Sequence, residues 1–144
     1  MKKLIVLLLL LMVIFSCKKN KDKNPSCSTD AASISGSYKI TAYTYKASTS
    51  SPEIDYYSTI FPDACDRDNV LTFNANGTYQ LIDAGVACSP PGNDNGTWAL
   101  AGTTTMQIDG DAVTIESFDC KKLIFVNADT QTTGDQLKIT LTKQ

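Results

Sequence analysis

The sequence predicts an all-β domain: a small, eight-stranded, antiparallel up-and-down barrel that follows an export signal and a tether. Three observations predict it. From Gly36 onward the chain falls into short stretches rich in Thr, Tyr, Val and Ile, separated by Gly, Asn and Asp. Within them apolar residues alternate with period two, and no helical periodicity persists. Eight such stretches follow one another with mostly short connections, and a meander of eight strands exposes two edges unless it closes on itself.

The strands are expected at 36–46, 69–74, 78–83, 95–101, 103–108, 112–117, 120–127 and 135–143. Alternation gives the inward set. It takes Tyr38, Ile40 and Ala42 from the first strand, then Leu71 and Phe73, Tyr79 and Leu81, Trp98 and Leu100, Met106 and Ile108, Val113 and Ile115, and finally Leu137, Ile139 and Leu141. In the seventh strand Leu123, Ile124, Phe125 and Val126 are apolar on both faces, so its phase stays open. Ser51 to Pro62 breaks the β pattern: Ser51 suits a cap, Pro52 a first helical position, and Glu53 and Asp55 the positive end of a helix dipole. It reads either as one or two helical turns across an open barrel end, with Ile54, Tyr57, Ile60 and Phe61 inward, or as a surface loop anchored by its aromatics.

The sharpest local signal is Phe73-Asn74-Ala75-Asn76-Gly77-Thr78-Tyr79. Asn and Gly supply the left-handed backbone positions of a tight hairpin. A two-residue turn pairs positions summing to 153, and a three-residue loop with Gly77 in a bulge pairs positions summing to 152. The core pattern chooses the second, which sets Phe73 opposite Tyr79 and Leu71 opposite Leu81. Extending the hairpin backwards brings Cys65 to within a residue of Cys88, where a disulfide would staple its open end and contribute roughly 3 kcal/mol by loop entropy.

Ahead of the domain, Lys2 and Lys3 precede an apolar run from Leu4 to Phe15 that ends in Ser16-Cys17. At about 12 residues it falls short of the roughly 20 needed to span a bilayer, and a small residue follows where a signal peptidase cuts. Ile14-Phe15-Ser16-Cys17 resembles a bacterial lipobox, which makes Cys17 the lipidation site and the mature N-terminus. Residues 1–16 are then a lipoprotein signal peptide. Residues 17–35, rich in Lys, Asn, Ser and Asp, are a lipidated, flexible basic tether with a reach of roughly 25 Å, and residues 36–144 are the barrel. With Cys17 lipidated, four cysteines remain, with three possible connectivities; beside Cys65 and Cys88, the pair left over is Cys27 with Cys120.

Composition excludes several functions. The formal net charge of −2 hides 14 acids against 7 bases from Pro25 onward, which argues against nucleic acid as a partner. The chain has no histidine, which removes His-dependent triads and most zinc sites. Asp63, Asp66 and Asp68, and again Asp109 and Asp111, match no Ca²⁺ loop and are explained by turn chemistry. Apart from Glu116, the acids sit in turn-like polar sequence. No catalytic residue, metal or cofactor is expected.

Taken with the lipobox, three segments resemble the short lipocalin-like domains of gram-negative lipoproteins. They are Gly36-Ser37-Tyr38-Lys39-Ile40, with Tyr38 where a Trp is expected; Cys65-Asp66-Arg67-Asp68-Asn69 leading into Leu71-Thr72-Phe73 and Gly77-Thr78-Tyr79, with Cys88 beyond; and Gly96-Thr97-Trp98-Ala99-Leu100. The resemblance spans residues 36–143. It implies a small barrel with an apolar interior site and no defined ligand. Tyr38, Phe73, Tyr79 and Trp98 are the candidates to line such a site; short strands and bulky inward residues favour their being core instead. The functions expected are a membrane-anchored carrier of a small apolar ligand, a protein-interaction or inhibitor module acting through the loops Lys46 to Asp63 or Ala84 to Asn95, or a structural component of the envelope. Lys18, standing where an aspartate would resemble an inner-membrane retention signal, favours the outer membrane.

Overall fold

The computed structural model describes residues 27–144. The signal segment, Cys17 and the tether lysines lie outside them. Strands β1 (Gly36–Lys46), β3 (Val70–Phe73), β4 (Thr78–Ile82), β5 (Asp94–Leu100), β6 (Thr105–Ile108), β7 (Asp111–Phe118), β8 (Lys122–Ala128) and β9 (Gln136–Lys143) pair in sequence order. The ring closes where β1 pairs antiparallel with β9, from Tyr38 opposite Lys143 to Lys46 opposite Gln136. Between β1 and β3 run a two-residue strand, β2 (Ile54–Asp55), and two single-turn helices, α2 (Tyr57–Ile60) and α3 (Ala64–Arg67).

The β3–β4 hairpin adopts the register in which Phe73 faces Tyr79 and Leu71 faces Leu81. Gly77 takes φ +83°, a conformation that a Cβ disfavours, and its N–H donates to the Asn74 carbonyl at 3.1 Å. The β6–β7 hairpin turns on Asp109 and Gly110, both at positive φ, as a tight two-residue connection requires.

Two β-bulges change the inward set. A register shift between Ile40 and Ala42 sets Tyr43 opposite Ile139 and Tyr45 opposite Leu137, so Tyr43 and Tyr45 face inward in place of Ala42. A second shift, between Ile115 and Ser117, turns Phe118 to the same side as Leu123. An extra residue in one strand flips every later side chain to the other face. β8 settles its phase by burying Leu123 and Phe125.

The domain begins earlier than residue 36. α1 (Ala31–Ile34) is capped by Asp30, whose carboxylate accepts from the Ser33 N–H at 2.7 Å, and Ile34 is fully buried in the core. Ile34 fills the base of the barrel and anchors this turn there. The expected flexible segment therefore does not extend to Ser35.

Candidate functional site

Connections alternate between the two barrel ends. One end is closed by α1 and the turns at 74–77, 101–104 and 119–121; the other, the mouth, is formed by residues 47–69, 83–93, 109–110 and 129–135. The four candidate ligand-binding aromatics belong to the packed interior. Tyr38 and Phe73 meet edge to face with centroids 5.8 Å apart, and Phe73 meets Trp98 in the same way at 5.3 Å. The Tyr38 hydroxyl donates to the Ile34 carbonyl at 2.6 Å, and burial raises its pKa to about 12. The Trp98 indole N–H donates to the Asn74 carbonyl at 2.9 Å. Tyr79 donates to Asp109 at 2.7 Å, and that bond, with burial behind it, pushes the phenol pKa up. Lys143 Nζ stands 5.6 Å over the Tyr38 ring and donates to the Ser33 carbonyl at 2.8 Å, fastening α1 across the base.

The mouth is built differently. Phe61 packs on Tyr43 and Tyr57 with centroids 6.0 and 5.3 Å away, and the Tyr57 hydroxyl donates to the Ile40 carbonyl at 3.0 Å. Arg67 latches this segment by donating from Nε to the Phe61 carbonyl at 2.7 Å and from an η nitrogen to the Pro62 carbonyl at 2.9 Å. Beneath it lies a cavity of about 40 Å³, floored by Ile40, Leu71 and Leu81 and rimmed by Phe61, Arg67 and Asn69. That is room for a water or two; cavities that take drug-sized ligands are on the order of 300 Å³ or more. None of Tyr38, Phe73, Tyr79 or Trp98 lines it. Tyr57 and Phe61 reach the mouth as the plug reading expects, but Ile54 and Ile60 point outward, 49% and 42% exposed. Pairing with β1 sets Ile54 opposite Tyr45, but β2 lies at the rim, where Ile54 stays half-exposed.

Cys65 and Cys88 are bonded, Sγ to Sγ at 2.04 Å, and tie α3 to the β4–β5 connection. The N–H of Val86 donates to Asp68 at 2.7 Å and that of Cys88 to Asp83 at 2.9 Å, shaping the same connection. Asp68 Oδ1, Asn69 Oδ1 and Asp83 Oδ1, buried beneath it, have no partner among the described residues, so acceptors outnumber donors here. Asp66 lies near Cys65 and Cys88, but both sulfurs are committed to the disulfide and offer no thiolate to a metal. Asp109 is structural: it accepts from the Thr97 N–H at 2.8 Å as well as from Tyr79. Glu116 is exposed and paired with Lys138 at 3.1 Å, the opposite of a desolvated general acid. At the closed end Cys27 is bonded to Cys120.

Sequence reasoning missed Asp135. It is fully buried and accepts from the N–H groups of Thr130, Gln131 and Thr132 at 2.6 to 2.9 Å and from the Tyr45 hydroxyl at 3.1 Å. Burial raises its pKa, but the three backbone donors outweigh that and bring it down to about 2. The only signal in the sequence was Thr130-Gln131-Thr132-Thr133-Gly134-Asp135, which reads as an ordinary polar turn.

An antiparallel barrel, helix-closed at one end and lidded by a long first connection at the other, is the architecture of a binding fold. The chain belongs to the lipocalin-like domain family, whose model matches residues 34–142; the match starts at Ile34, the residue that plugs the base. No curated protein matches the chain.

Proposed function

We propose that this is a lipid-anchored, non-enzymatic binding module of the cell envelope that works through its mouth loops, and that its partner is a basic protein surface. One observation carries the reading: the barrel interior is occupied by its own aromatics, while the mouth presents apolar side chains in an acidic frame. Ile54, Ile60 and Val86 are 42–61% exposed at the rim, and besides the buried Asp135 the mouth connections hold eight acids against Arg67 alone. Apolar anchors ringed by charge of one sign suit a partner of the opposite sign. Anchoring rests on the Ser16-Cys17 signature and an outer-membrane address on Lys18.

Photo-crosslinking in growing cells from positions 54 and 86, with Thr103 at the closed end as control, tests this. A discrete protein adduct from the mouth positions and none from position 103 is expected; the same adducts from all three, or none from any, would sink the proposal. A second reading, uptake of a small apolar group beneath Phe61, is favoured by the apolar floor of Ile40, Leu71 and Leu81. In native mass spectrometry it would appear as a discrete excess mass lost on denaturation.

A further inference from the structure

The two ends of the barrel differ in charge, and the chain reaches the membrane from one of them. Against the acidic mouth, the closed-end turns at 74–77 and 101–104 carry no charge. The turn at 119–121 places exposed Lys121 beside exposed Lys122. Asp119, the acid of that turn, is drawn into it, its carboxylate accepting from the backbone N–H groups of both lysines at 2.8 and 2.6 Å. The ion pairs among the described residues join Lys138 to Glu53 and Glu116, so neither ammonium group is taken up by one. Asp30, the acid ahead of α1, is occupied in capping it.

The disulfide between Cys27 and Cys120 stitches the incoming chain next to these lysines. It also shortens the tether. Counted from Cys17, ten residues lead to Cys27, against 14 to Ala31 at the start of α1. That span carries Lys18, Lys19, Lys21 and Lys23 against Asp22. The mouth stands a strand length farther out, roughly 25 Å for eight residues, beyond the roughly 10 Å over which surface charge acts at moderate salt.

We infer that the Lys121–Lys122 edge of the closed end is a membrane-facing surface, seated on anionic lipid headgroups, so that the barrel stands with its mouth turned away from the bilayer. The inference rests on lipid attachment at Cys17, proposed above. Basic side chains beside an anchor gain from the negative surface potential, and an acidic mouth is repelled by it.

The test uses the full chain reconstituted on phosphatidylethanolamine–phosphatidylglycerol vesicles and labelled with a membrane-impermeant amine reagent. Peptide mapping gives the labelling of Lys121 and Lys122 relative to Lys46 at the mouth. On vesicles this ratio is expected to fall at least about threefold below its value for the same protein in uncharged detergent micelles, where no anionic headgroups shield the two lysines. Trp98 emission confirms that the protein is folded in both settings; on vesicles alone, shielding of Lys121 and Lys122 with Lys46 open gives the same answer. Equal labelling at the two ends, or shielding of Lys46, overturns the inference. Intact mass reads the anchor separately. If Cys17 carries no lipid, the anchoring proposal fails, and coupling the Cys17 thiol to a maleimide lipid in the same vesicles still decides the orientation.

Discussion

Tyr38 fills the place in the opening strand where the lipocalin-like pattern has a tryptophan, and its hydroxyl does what an indole there could not do in the same way: it reaches the Ile34 carbonyl at 2.6 Å and holds the helix that closes the base. Tyr38→Phe keeps the ring and strands that carbonyl, at a cost of about 1–2 kcal/mol in urea unfolding followed by Trp98 emission. Gly96, just before Thr97-Trp98, is needed because a Cβ there would collide with the Asp109 carboxylate, itself pinned by Thr97 and Tyr79. Asp135 governs the acid side of the stability profile. Its folded pKa of about 2 lies below the ordinary 3.8, so its contribution is complete above about pH 4 and is lost as the pH falls toward 2. Asp135→Asn removes the charge that three backbone donors converge on. The variant is expected to melt several degrees lower at pH 7 and to show a flatter loss of stability between pH 4 and 2, measured by thermal denaturation across that window.

Among the elements, the β3–β4 hairpin was legible in full: an Asn-Gly turn flanked by alternating apolar residues left one register in which Phe73 met Tyr79. The pairing of Cys65 with Cys88 follows from it. What period-two reading could not see were the bulges in β1 and β7, because one inserted residue leaves no mark on composition while reversing the faces of Tyr43, Tyr45 and Phe118. α1 was hidden because Ala31-Ala32-Ser33-Ile34 offers a single bulky apolar residue, and only the barrel's open base explains its burial. The mouth was half legible: Tyr57 and Phe61 announced an anchored segment, but the exposure of Ile54 and Ile60 depends on where that segment lies at the rim, which is tertiary. Two outcomes belong to this scale. Ile34→Ala opens the base and should cost about 2–5 kcal/mol, far more than a tether residue would. Cys65→Ser/Cys88→Ser should lower stability by about 3 kcal/mol and make residues 83–93 the first site of limited proteolysis, since the loop loses its staple while the strands remain paired.

At the scale of the molecule, the ring closes only when β1 meets β9, nearly a hundred residues apart in sequence, and the Cys27–Cys120 bond spans a comparable distance, 93 residues. A cross-link of that length contributes about 4–5 kcal/mol in the chain-entropy model. Together the two disulfides approach the total stability of about 5–15 kcal/mol usual for a single domain. The chain is therefore expected to fold only where thiols are oxidised, in keeping with the envelope location proposed above. Far-UV circular dichroism in the presence of strong reductant should show the strand signal lost at 37 °C and recovered on reoxidation. A reduced chain that kept its full signal and melting temperature would mean that the aromatic interior suffices alone.

The single tryptophan of the chain lies 4% exposed at the bottom of this structure, its indole hydrogen bonded to backbone and its ring held against Phe73. Its emission should be blue-shifted and hardly touched by iodide or acrylamide. Anything that docks at the rim, where Ile54 and Val86 stand, will leave that signal unmoved. Intrinsic fluorescence in this protein is thus a gauge of intactness and silent about occupancy, and a titration that shows no change in it is not evidence that nothing has bound.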